Sequence, residues 1–343
     1  MLSAHSRRDS TSGSPSALAR AVRRWGSASL VAVSVVCSGA AWADSSRSIN
    51  EWLSRLHEAS RERAYVGTLV VSAGPAMSAS RIWHVCDGSQ QMERVETLTG
   101  APRTTIRRNN DVITFDPESR TAWTEKRESL GVFPELLRTP SNLIPEFYGV
   151  DELSHERVAG HMADVIELMP KDALRFGYRI WSEKKTGLVI KMQTLDESRQ
   201  VLEQVAFTEL QFDAPVRMDK LKRMMADTKG YEVLRPSLRK TTPEAEGWRM
   251  RDVVPGFQTV SCHVRDQSDG GSPPMQWVFS DGLASISLFI EPFDPVRHGD
   301  AGQAVAGATH SLTQRLGNHW LTVMGEAPLA TLRLFAQGIE RTR

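Results

Sequence analysis

The chain has 343 residues, with 42 Lys and Arg against 41 Asp and Glu, a formal net charge of +1, 40% hydrophobic residues and three cysteines. This balance excludes the basic stripe and high isoelectric point of a general nucleic-acid binder, and three cysteines exclude a disulfide framework. The length suffices for two domains of ordinary size.

Residues 1–43 read as a signal peptide. Arg20, Arg23 and Arg24 form a basic region, residues 28–41 are apolar and small, and Ala41-Trp42-Ala43 offers small residues at both positions a signal peptidase reads. Cleavage after Ala43 is expected. Two other leader chemistries fit less well. Cys37 follows Ser34-Val35-Val36 rather than the Leu and small-residue context of a lipidation site, and Arg23-Arg24 before Trp25-Gly26 is a loose twin-arginine match. The apolar run is too short for about 30 Å of hydrocarbon, and no later segment supplies the roughly 20 apolar residues of a transmembrane helix. Removing residues 1–43 takes away five Lys/Arg and one Asp, leaving 37 basic against 40 acidic residues. Cys86 and Cys262 remain, and two buried thiols are favoured over a bridge between domains.

Ser48-Ile49-Asn50-Glu51 is a capping box, so a helix is expected to start there, with Ile49, Trp52, Leu53 and Leu56 on one apolar face. From Tyr65 the period becomes extended, with turn chemistry at Gly74-Pro75, Asp87-Gly88, Gly100-Ala101-Pro102, Asn109-Asn110-Asp111 and Asp116-Pro117. A second set of strands covers residues 161–169, 176–182, 188–195 and 200–212. About ten short strands at this spacing predict a large curled antiparallel sheet. Between the sets, residues 131–150 are apolar and broken by Pro134, Pro140 and Pro145. Short helices there either plug the sheet's concave side or close an ordinary core, and the residues alone favour the core.

Residues 217–246 are charged or proline-bearing with little apolar periodicity, and they read as a linker between a domain of residues 44–216 and one of residues 247–343. Beyond it, residues 256–264, 275–280, 283–291, 305–315 and 319–325 read as strands. Asp281-Gly282 predicts a two-residue hairpin. Pro328 suits the first turn of a final helix with Leu329, Leu332, Phe335, Ala336 and Ile339 inward.

Catalytic motifs are weak. Ser182-Glu183-Lys184-Lys185 fits an S-x-x-K pattern and Lys185-Thr186-Gly187 a K-T-G pattern, but they share one lysine, which cannot serve both roles, and the stretch reads as a polar turn. The histidines show no metal-ligand spacing, and G-x-S-x-G, P-loop and G-x-G-x-x-G motifs are absent. No cofactor and no enzymatic activity are expected.

Two stretches go further. Glu93-Arg94, Leu98, Gly100 and Pro102-Arg103, followed by Ile106-Arg107-Arg108-Asn109 and Asp111, resemble the E-R-x-x-x-L-x-G-x-P-R and I-R-x-N pattern of the RseB/MucB family. Gly247-Trp248-Arg249-Met250, Gly256-Phe257, residues 279–291, residues 317–320 and Val323-Met324-Gly325-Glu326 are similar to that family's C-terminal domain.

The resemblance implies an α+β, mostly antiparallel protein: a half-open β-barrel with covering helices, of lipoprotein-carrier type, and a smaller antiparallel sheet with a helix. It implies a periplasmic regulator that binds the periplasmic region of an RseA/MucA-type anti-sigma factor and shields it from the first proteolytic cut. Mislocalised lipoprotein or lipopolysaccharide acyl chains are the releasing signals it implies, and homo-oligomerisation stays open. The alternative is a periplasmic lipoprotein carrier or chaperone.

For an apolar ligand the expected lining is Trp83, Phe115, Trp123, Phe133, Leu137, Ile144, Phe147 and Tyr148. For the partner, strand 283–291 is expected to carry alternating apolar positions on a short sheet with an edge available to a disordered segment. Ile286, Leu288 and Ile290 would then face the C-terminal helix, and Ser285, Ser287 and Phe289 would face outward. N-terminal sequencing of the exported protein should read Asp44 first, in the periplasmic fraction; a lipid-modified Cys37 or a retained leader would contradict the signal-peptide reading.

Overall fold

Reciprocal capping starts the first helix, α1 (Ile49–Glu62). Ser48 accepts from the Glu51 amide through its hydroxyl, and its own amide donates to the Glu51 carboxylate at 2.7 Å. The computed structural model describes residues 47–126, 143–235, 238–265 and 274–342. Residues 1–43, Phe133 and Leu137 lie outside these, as does most of the proline-broken segment.

Alternating strands follow: β1 (Tyr65–Ala73), β2 (Ala76–Cys86), β3 (Gln91–Thr97), β4 (Thr104–Arg108), β5 (Asp111–Asp116) and β6 (Thr121–Lys126). After α2 (Ile144–Phe147) come β7 (Tyr148–Val158), β8 (His161–Pro170), β9 (Gly177–Glu183), β10 (Val189–Leu195) and β11 (Val201–Phe212). They build one open sheet in the order β6-β5-β4-β3-β2-β1-β11-β10-β9-β8-β7. The predicted turns are where the chain reverses. Asn109 takes φ +51° between β4 and β5, a left-handed conformation that Asn tolerates. The apparent catalytic stretch is likewise a turn between β9 and β10: the Glu183 carboxylate accepts from the amides of Lys185 and Thr186, and Gly187 sits at φ +84°. On one face of the sheet, Trp52, Leu53 and Leu56 of α1 pack among Ile166, Tyr178, Ile180 and Met192.

The segment expected as a linker carries structure that belongs to this first sheet. Helix α3 (Met218–Ala226) lies against β3 and β4 with Leu221 buried, and β12 (Glu232–Leu234) extends the sheet by pairing parallel to β6. The charges of Arg217, Lys220, Lys222 and Arg223 obscured an apolar stripe, Met218, Leu221 and Met225, at i, i+3 and i+7.

The second sheet contains β13 (Leu238–Lys240), β15 (Gln258–Arg265), β16 (Met275–Ser280), β17 (Ser285–Pro292), β18 (Gly302–Ala306), β19 (Thr309–Leu316) and β20 (His319–Gly325), in the order β13-β15-β16-β17-β20-β19-β18. Between β13 and β15 runs β14 (Trp248–Met250), which pairs with the last strand, β21 (Ile339–Arg341). Helix α4 (Leu329–Gly338) follows Pro328 and packs Leu332 and Phe335 onto Trp277, Phe279, Ile286, Leu288 and Val323. The strand expected over residues 305–315 is instead a hairpin, β18 and β19, turned at Gly307 with φ +59°.

Asp281-Gly282 likewise differs from the expected two-residue hairpin. The β16–β17 connection is a four-residue loop, residues 281–284, because the Asp281 carboxylate turns inward. Its Oδ1 accepts from the Leu283 and Ala284 amides, and its Oδ2 accepts from Arg175 Nε at 3.0 Å and the Tyr148 hydroxyl at 3.0 Å. Arg175, on the connection from β8 to β9, also donates to Asp172 Oδ2 and to the Pro255 carbonyl, both at 2.6 Å. Both charged side chains of the Arg175–Asp281 pair are fully buried. The two sheets therefore meet at a desolvated ion pair. Truncating one partner strands the other, so Asp281→Ala should lower unfolding free energy by about 3–5 kcal/mol. Chemical denaturation measures this, and a loss below about 1 kcal/mol would remove the pair from its structural role.

Candidate functional site

The second sheet has one face under α4 and one face open. Along β17 exposure alternates: Ile286, Leu288 and Ile290 are buried against the core, while Ser285, Ser287 and Phe289 project the other way. Cross-strand pairing sets Gln276 beside Phe289 and Val278 beside Ser287, with Met324 and Thr322 of β20 on the far side of β17. Gln276 and Ser287 touch across the strands through a 3.5 Å hydrogen bond. This face forms one wall of a cleft of about 1360 Å³. The other wall comes from the first sheet and the segment leaving it: Val112, Ile113, Met225, Val233 and Arg235. The cleft mixes an apolar floor with a charged rim on which Asp111 and Lys126 pair at 3.9 Å.

Sequence reasoning thus placed Ser285, Ser287 and Phe289 on a common face, which the structure brings to the cleft. It did not foresee the opposing wall, whose residues come from the supposed linker and from the β5–β6 hairpin. The neighbours Gln276 and Val278 were legible in the alternation of β16, where Met275, Trp277 and Phe279 are buried and the intervening residues are not. The edges of this sheet are β13 and β18, and β17 is internal. β17 is bonded to β16 on one side and β20 on the other, so its backbone groups are already paired.

The expected ligand-lining residues do not share a cavity. Phe115 is buried in the core beneath α3, edge-on to Tyr231 at 5.1 Å. Trp123 lies on the opposite face of the same hairpin, since its cross-strand partner is Thr114 while that of Phe115 is Ala122, and it stacks under Arg103. Ile144 and Tyr148 are fully buried in the α1 core. Phe147 packs under the Arg175 guanidinium, 4.4 Å from the ring centroid. Of the six that are described, Trp83 lines a pocket of about 300 Å³ between the sheet and the start of α3. Val66, Leu221 and Met224 make its apolar part, and Arg94, Arg217 and Lys220 supply cations. Arg94 stacks on the Trp83 ring at 4.4 Å and pairs with Glu96.

Burial pushes the Cys262 thiol up to about 11, with Glu246 and Glu244 adding to the shift, so it is an inert core thiol; it is free, and the bridge to Cys86 is not formed. Among the described residues no group of three or more His, Cys, Asp and Glu is placed to hold a metal ion, and no helix is long and apolar enough to cross a membrane.

Two family models match in order along the chain: the MucB/RseB N-terminal domain over residues 48–225 and the MucB/RseB C-terminal domain over residues 242–340. The chain belongs to the MucB/RseB family. Within that family it is 30% identical over 299 residues to the sigma factor AlgU regulatory protein MucB of Pseudomonas aeruginosa, covering 84% of this chain and 90% of that protein. It is 26% identical to MucB in a solved MucA/MucB complex from the same organism, with a TM-score of 0.67 and coverage of 86% and 99%. A second solved complex, of MucB with MucA(peri), gives 27% identity, a TM-score of 0.64 and coverage of 85% and 98%. The MucB/RseB relatives are named for regulation, and the open antiparallel sheet followed by a smaller sheet with its helix is the architecture they share.

Proposed function

We propose that this chain is a periplasmic regulator that holds the periplasmic region of a membrane anti-sigma factor in the cleft between its two sheets. Bound there, the partner is shielded from the protease that makes the first cut. The observation that carries this reading is the cleft itself: an exposed sheet face bearing Phe289, Met324 and Val278 opposite a second wall, in a chain whose relative MucB is seen in complex with MucA. Because β17 has no free edge, the partner is held by side-chain contacts from the face, with Phe289 as the aromatic anchor. The family's regulatory naming supports a binding role over the alternative of a carrier acting without such a partner.

Comparison of two neighbours on one strand tests this. Phe289→Ala should weaken affinity for the anti-sigma factor's periplasmic region at least about tenfold, an interface anchor's usual share, with little change in melting temperature. Leu288→Ala, whose side chain is fully buried, should cost about 2–5 kcal/mol of stability. A Phe289→Ala protein that protects the partner from proteolysis as well as wild type would take this face out of the model.

Release by an acyl-bearing signal is the second part of the reading. Each buried methylene is worth about 0.8 kcal/mol, so about seven supply the ~5.5 kcal/mol that carries a two-state equilibrium from 1:99 to 99:1, provided the ligand favours the released state. The Trp83 pocket supports this with an apolar floor and the cations Arg217 and Lys220 in its lining, suited to an amphiphile with an anionic head. Titrating the mature chain with a lipopeptide or lipopolysaccharide fragment should give saturable binding that Trp83→Ala weakens. A folded protein that binds neither would end the lipid-sensing part while leaving partner binding intact.

A further inference from the structure

Each wall of the cleft carries a thioether. Of the sulfur-bearing residues in the second sheet, Cys262 and Met275 are buried, while Met324 on β20 is 37% exposed and lines the cleft. On the opposing wall, Met225 in the last turn of α3 also lines it, half-buried against the core around Leu221 and Phe115. A methionine so placed has two properties. Its unbranched, polarisable side chain adapts to an irregular apolar partner. Its sulfur is also open to oxidation, which turns an apolar side chain into a polar one.

The neighbours of Met324 suit the oxidised form. Its cross-strand partners are Ser287 on β17 and Ser311 on β19, so a hydroxyl flanks it on either side at a Cβ separation of about 5 Å. The Ser287 hydroxyl accepts from Gln276 Nε2 at 3.5 Å, which leaves its own proton to donate. A sulfoxide oxygen is a strong acceptor, and both hydroxyls are placed to donate to it. A Met324 side chain turned onto them is withdrawn from the face that also carries Phe289 and Val278.

We propose that Met324 is a site of oxidative modification through which peroxide loosens the chain's hold on its partner, with Met225 as a slower second site; this rests on the reading of the cleft as the partner site. The Met324 sulfur uses a lone pair to attack one oxygen of hydrogen peroxide. The O–O bond breaks as the S–O bond forms, the proton on the transferred oxygen passes to the departing hydroxide, and water leaves. The thioether loses two electrons and the peroxide gains them, giving the sulfoxide. The partner then meets a polar, chiral group where an apolar one stood.

The test treats the mature full chain with hydrogen peroxide, maps sulfoxides by mass spectrometry and measures affinity for the anti-sigma factor's periplasmic region. Met77 and Met162, 74% and 48% exposed and outside the cleft lining, are the references for accessible methionine. Met324 should oxidise alongside them and ahead of Met225. Wild-type affinity should then fall about tenfold or more, the loss that an unpaired polar group brings to an apolar contact, and methionine sulfoxide reductase should restore it. Each variant is compared with its own untreated form: Met324→Leu should lose little on treatment, and the double variant with Met225→Leu less still. A wild type that resists oxidation at Met324, or that carries the sulfoxide there and binds as before, overturns the proposal, as does a Met324→Leu protein that loses as much as wild type. An untreated wild type that binds no partner overturns the cleft reading and this proposal with it. Should Met324→Leu fail to fold, the reductase arm decides: affinity that recovers as the Met324 sulfoxide disappears supports the site, and affinity that does not recover overturns it.

Discussion

A guanidinium and a carboxylate buried together between two β-sheets are costly to desolvate, and the arrangement survives only if every donor and lone pair finds a partner. Arg175 and Asp281 draw their partners from both sides. Asp172 and Tyr148 come from the first sheet and its connections, and the Pro255 carbonyl and the Leu283 and Ala284 amides come from the second. Phe147 and Phe257 stack on the guanidinium at 4.4 and 5.2 Å and exclude water. Neither sheet alone could bury its half of the pair. Gly256, at φ +81°, is needed here because a side chain would strike both Arg175 and Phe147.

The same pair sets the geometry of the cleft. Asp281 opens the loop that leads into β17, and its capping of Leu283 and Ala284 fixes the direction in which Ser285 leaves it. From there strict alternation assigns each side chain of β17 to the core or to the cleft. Leu283 completes the tie by packing into the core of the first sheet. A rigid, apolar-backed sheet face is thus held opposite a wall made of a different fold element, leaving a groove whose width depends on the joint between the sheets.

Around Arg175 opposite charges are matched and each guanidinium nitrogen is hydrogen-bonded. On the same short connection between β8 and β9, the Leu174 carbonyl accepts a 2.6 Å hydrogen bond from Thr331 of α4.

Local physics in the sequence determined a good deal. The capping box starts α1 where Ser48 and Glu51 place it, the alternation in β16 and β17 separates core from surface residue by residue, and turn chemistry marks most strand ends. These features depend on neighbours within a few positions. The sequence also carried the family resemblance and the outward set Ser285, Ser287 and Phe289. Tertiary structure decided the rest, because it depends on what lies opposite. Whether β17 had a free edge was a question of sheet order, which periodicity does not encode. The charged stretch before β12 reads as linker until a sheet is present to receive Met218, Leu221 and Met225. Phe115 and Trp123 are equally aromatic in sequence, but they fall on opposite faces of one hairpin. Asp281 carries the signature of a surface turn, and only the arrival of Arg175 from more than a hundred residues away turns its carboxylate into the centre of the molecule.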